Sequence, residues 1–84
     1  MNNKILIEIE IPSIEKKYDV FIPINKKIGT VKKLLEQALV ELSDKAYEPV
    51  EDTNLYSKEN GEMYNVNHTV RDTNLKNGSR IILI

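Results

Sequence analysis

The stretch KYDVFIPINKKIGTVKKLLEQALVEL, residues 17–42, changes its hydrophobic period at Gly29 and Thr30. Before that point Tyr18, Val20, Ile22 and Ile24 alternate with polar neighbours, the period of two of a half-buried strand; Phe21 alone breaks the polar side. After it Val31, Leu34, Leu35, Ala38, Leu39 and Leu42 fall at the i, i+3, i+4, i+7 spacing of one helix face. Thr30 is the expected N-cap, since its hydroxyl can accept from an amide of the first turn. Lys32, Lys33, Glu36, Gln37 and Glu41 take the other side, where Lys32 and Glu36, or Lys33 and Gln37, stand at i, i+4. The helix is expected to end near Ser43 or Asp44.

Upstream, every odd position from Ile5 to Ile11 is isoleucine, with Glu8 and Glu10 between them and Leu6 breaking the polar side. Pro12 and Ser13 end this strand, so the first two strands form a hairpin joined through Pro12 to Lys16. Downstream the elements are shorter. Thr53 to Ser57 reads as a strand with Leu55 inward and Tyr56 outward, Glu59-Asn60-Gly61-Glu62 as a tight turn, and Met63 to Val66 as the return strand. Val70 to Leu75 has room for one helical turn. Asn77-Gly78 makes another tight turn, and Arg80 to Ile84 is apolar enough for a strand buried on both sides. A crossover can place that last strand beside the first in parallel. The expected class is α+β: a mixed sheet of four to five strands with one helix packed on one face, forming a single domain over residues 1–84.

Composition narrows the function. Eighty-four residues leave room for one core. A net charge of −1 gives no field to attract a polyanion, so nucleic acid is not expected, and the lysine pairs at 16 and 17, 26 and 27, and 32 and 33 read as solvated surface. The absence of cysteine excludes a disulfide scaffold, a thiolate nucleophile and a sulfur-bound zinc site. Met1 to Ile11 alternates and carries glutamates, unlike a secretory leader, and no run approaches the roughly 20 apolar residues of a membrane span. A cytoplasmic protein without membrane insertion is expected. Asn67-His68-Thr69 and Asn77-Gly78-Ser79 match the glycosylation pattern but read as turns in such a chain.

The element order, with Ile28-Gly29-Thr30-Val31-Lys32-Lys33-Leu34-Leu35 entering the helix and Leu75-Lys76-Asn77-Gly78-Ser79-Arg80-Ile81 leading into the last strand, resembles the ubiquitin-like β-grasp family over nearly the whole chain. Within it the chain looks most like the YukD-type proteins, small bacterial ubiquitin-like components associated with type VII secretion. Conjugated relatives and sulfur carriers end in a flexible diglycine tail, whereas here no glycine follows Gly78 before Ile82-Leu83-Ile84. The resemblance therefore implies a non-conjugated adaptor that binds a protein, with a secretion-machine component as the expected partner. The alternative is a modifier or sulfur carrier whose diglycine tail is missing from this chain.

No residue set calls for catalysis. His68 is the one histidine and stands in a polar segment. Glu48, Glu51 and Asp52 lack the spacing and glycine of a calcium loop, and Gly29, Gly61 and Gly78 are too scattered to cradle a phosphate. No enzyme activity, cofactor or metal is expected. Phe21, Tyr47, Tyr56 and Tyr64 remain as contact side chains or core fillers. In ubiquitin-like proteins the sheet face opposite the helix is the usual partner surface, which makes Phe21 and Leu6 the expected protein-binding residues, together forming a small apolar patch.

Overall fold

A computed structural model describes residues 3–84; Met1 and Asn2, the head of the stretch read as unlike a leader, lie outside the described residues. The order is β1 (Lys4–Ile11), a 3-10 turn (Pro12–Ile14), β2 (Lys16–Pro23), α1 (Ile28–Leu42), β3 (Leu55–Ser57), a second 3-10 turn (Val70–Asp72) and β4 (Arg80–Leu83). The sheet runs β2-β1-β4-β3: β1 and β2 are antiparallel, β1 and β4 parallel, and β4 and β3 antiparallel. The crossover read from the apolar C-terminus is present.

One sheet face meets the helix. Ile7, Ile9 and Ile11 of β1, Ile22 of β2, Ile81 and Leu83 of β4 and Leu55 of β3 bury against Ile28, Val31, Leu35 and Leu39 of α1, with Val70 and Tyr47 closing the ends. Glu15, at φ 54, carries the chain from the first 3-10 turn into β2. Gly61 and Gly78 hold positive φ in the two turns that the Asn-Gly pairs predict. Lys32 and Glu36 meet at 3.6 Å, as their spacing predicts.

Four expectations need correction. The helix starts at Ile28 rather than after Thr30; its N-cap is Lys27, which makes no side-chain cap. The first amides are held instead by distant carbonyls: Ile28 N donates to His68 O at 2.8 Å and Gly29 N to Val66 O at 3.0 Å. A Cβ at Gly29 would stand 3.3 Å from that Val66 oxygen, so glycine suits this close approach. Leu34, Ala38 and Leu42, expected in the buried stripe, are exposed because the sheet reaches under only part of that face. Met63 to Val66 is not a strand: only Met63 bridges to Tyr56, so the sheet has four strands. Finally, β4 is buried on one side only. Ile81 and Leu83 face α1, while Ile82 is half-buried and Arg80 exposed.

Candidate protein-binding surface

Leu6 and Phe21 are directly opposed in the register of β1 and β2. They lie on the face away from α1, because their chain neighbours Ile7 and Ile22 are in the core. Ile24 N donates to Asn3 O, so the residues of β1 and β2 that exchange hydrogen bonds alternate from that pair and Leu6–Phe21 falls between them. Opposed side chains stand closer at such a position. The two residues are 39% and 62% exposed, so the patch read from two breaks of period is present, contiguous and open to solvent.

The backbone beneath Leu6 is fixed from the other side. Asn77 Oδ1 accepts from Leu6 N at 2.7 Å, and Gly78 N donates to Leu6 O at 2.8 Å. Sequence reasoning reads Asn77-Gly78 as a turn and misses this clamp. An Asn-Gly step just before a central strand is the signal that could have found it, since such turns sit at sheet ends.

Charged residues dominate the middle of this face. Glu8 lies between Asp19 and Arg80, and Glu10 between Lys17 and Ile82. Lys58 Nζ donates to Glu10 Oε1 at 2.6 Å. This hydrogen bond holds the Glu10 carboxyl below its ordinary value and the Lys58 ammonium above its own. Tyr56 stands opposite Ile82, both half-buried, at the β3 end. The apolar corner at Leu6 and Phe21 is therefore bordered by fixed charges of both signs, as a contact surface with an apolar centre and polar rim would be.

The other aromatic residues divide between core and margin. Tyr47 is buried; its hydroxyl lies near Glu36 and Thr53 but makes no hydrogen bond among the described residues, and burial, with Glu36 nearby, raises its pKa above the ordinary phenol value. Tyr64 is half-buried, and its hydroxyl meets Asn74 Oδ1 at 3.3 Å. His68 is exposed, and the function its placement supports is structural, through its carbonyl on Ile28. Glu48, Glu51 and Asp52 are exposed, and the described residues contain no group of three or more His, Cys, Asp or Glu able to hold a metal. No helix among them is long and apolar enough to cross a membrane.

The ubiquitin-like domain of the Mycobacterium tuberculosis type VII secretion protein EccD1 superposes on the whole chain with a TM-score of 0.76, covering 99% of that domain. The fold is the ubiquitin-like β-grasp. Sequence identity to the EccD1 domain is only 12%. The ubiquitin of Caldiarchaeum subterraneum matches at TM-score 0.67 and 15% identity, covering 95% of this chain and 90% of that one. A chain of the MycP5-free ESX-5 inner membrane complex matches at TM-score 0.72 and 11% identity; this chain spans 21% of its length. No protein-family model matches the sequence. A search of curated proteins finds no relative. The likeness is one of fold: one helix on a mixed sheet with a parallel β1–β4 pair at its centre.

Proposed function

We propose that residues 1–84 form one non-catalytic ubiquitin-like module, of the YukD type, that serves as a cytoplasmic accessory component of a bacterial type VII secretion system. It binds a component of that system through the open sheet face, with Leu6 and Phe21 as the apolar anchor. The observation that carries this reading is the pairing itself: the two breaks in the polar sides of β1 and β2 meet as cross-strand neighbours and stay exposed. Scattered surface apolar residues need no explanation, but two in register beside a charged strip of the sheet do. Aromatic anchors ringed by polar side chains are the usual centres of protein contacts. Support for the secretion context comes from the EccD1 and ESX-5 likenesses together with the features that resemble YukD-type proteins.

The test joins affinity capture to genetics. Tagged wild-type chain is expected to recover a type VII secretion component from its own host, and deletion of the gene is expected to lower secretion of that system's substrates. Recovery of no such component, with normal secretion in the deletion strain, would remove the secretion assignment.

A further inference from the structure

The helix carries more apolar surface than its own sheet covers. Leu34 and Leu42 are 48% and 52% exposed, and with Ala38 they form a stripe at i, i+4, i+8 along one flank of α1. That flank overlooks β2, one of the two outer strands of the sheet. Between them runs a groove of about 310 Å³, walled by Leu34 and Ala38 on the helix and by Val20 and Ile22 on the strand, with Lys4 and the strand edge at Phe21 at its rim. Tyr18, further along β2, reaches the end of the helix, its hydroxyl 3.5 Å from Leu42 O.

The edge of β2 is open in the same place. Ile24 N bonds Asn3 O, and Glu8 N and Leu6 O bond the β4 side, so the even residues of β2 bond β1 while Lys17, Asp19 and Phe21 turn their backbone N–H and C=O groups outward. Among the described residues no backbone group pairs with them. The opposite edge differs: beyond β3, Ser57 N donates to Glu62 O and Tyr64 N to Leu55 O.

We infer that this edge and stripe are the contact with a second copy of the same chain, two β2 strands joining antiparallel across a two-fold axis. Charge selects both the partner and the register. Lysine on an edge strand ordinarily repels a further strand, but here Asp19 stands two residues along, turned the same way. A register centred on Tyr18 sets Lys17 of each copy opposite Asp19 of the other, twice by symmetry, and brings the two Tyr18 rings together at the axis. Centred on Asp19, the strands would oppose two aspartates; centred on Val20, Lys17 would face Pro23, which has no N–H to give. A two-fold axis normal to the sheet keeps both helices on one face, so the exposed stripes converge over the junction. The side chains of Leu6 and Phe21 point to the other face, and the inference needs no secretion partner, although Phe21 also lies on the β2 edge.

Sedimentation equilibrium on the full chain, from about 1 µM to 1 mM, tests it. Wild type is expected to dimerise with a dissociation constant on the order of 100 µM or tighter. Lys17→Asp and Asp19→Lys each set like charges opposite and are expected to weaken the dimer about tenfold or more, while the double exchange restores it. Leu34→Asp, which leaves the strand untouched, is expected to weaken it as well. Melting curves at micromolar concentration confirm that each variant is folded. A wild-type chain that stays monomeric to 1 mM overturns the inference, as do single exchanges that dimerise like wild type or a double exchange that does not recover.

Discussion

Leu34 and Leu35 are adjacent leucines in one helix, and truncating each to alanine is expected to give sharply different results. Leu35 is 4% exposed, packed among the isoleucines of the sheet, and Leu34 is 48% exposed. Removing a buried leucine side chain costs about 2–5 kcal/mol, from lost transfer energy and the cavity left behind. Leu34→Ala removes a side chain already half in water and places the best helix former in a helix, so its cost is expected to stay below about 1 kcal/mol. A domain of 84 residues has roughly 4–13 kcal/mol of total stability. Leu35→Ala therefore takes a large share of it. Each kcal/mol shifts the melting temperature of so small a domain by about 4–8 °C, so the two variants should melt at least about 4 °C apart. The assay is thermal and urea unfolding at a few micromolar. Equal losses would place both leucines in one environment, and a Leu35→Ala cost below about 0.5 kcal/mol would put the central helix face in solvent.

Three further outcomes are expected. Tyr47→Phe removes a buried hydroxyl that makes no hydrogen bond among the described residues and should leave stability unchanged or raise it by up to about 1 kcal/mol; a loss above about 1 kcal/mol in urea unfolding would show that the hydroxyl is satisfied. Asn77→Ala frees the Leu6 amide and should cost about 0.5–1.5 kcal/mol, with amide exchange at Leu6 accelerated; unchanged exchange would rule out the clamp. Glu10 has its pKa lowered in the fold, so its contribution is full above its unfolded value and lost as pH falls through the folded one. Lys58, raised, contributes below its unfolded value and loses that contribution as pH rises through the folded one. Glu10→Gln should accordingly flatten the acid limb of stability against pH below about pH 5, and an acid limb as steep as wild type would contradict the pairing.

What could be read from the sequence was what local periodicity dictates. Ile5 to Ile11 can bury one face only as a strand, and the switch of period at Gly29 fixes the helix and hence the side of the sheet it covers. Leu6 and Phe21 could be found because they violate that alternation. Their exact apposition depends on the hairpin register set by the turn after Ile11. Local reading starts the helix too late because its amides are capped by Val66 and His68, nearly forty residues away, which no local rule anticipates. Leu34 and Ala38 share the helical spacing of Leu35 and Leu39, and spacing says nothing about how wide a sheet lies beneath. The residues after Gly61 pair with β3 through only a few backbone bonds, too few to continue a ladder, so a reading of Met63 to Val66 by turn chemistry overcounts the strands.

The most direct measurement is a binding titration of wild type and Phe21→Ala against the secretion component recovered by wild type, paired with melting curves of both. Phe21 is 62% exposed on the sheet face opposite α1, so its truncation should cost about 1 kcal/mol of stability or less. A central aromatic anchor should cost about 2 kcal/mol or more of binding, near thirtyfold in affinity. Weakened binding with a nearly unchanged melting temperature is the result expected. Unchanged affinity, or a large fall in melting temperature with affinity lost only through unfolding, would contradict the assignment of this face.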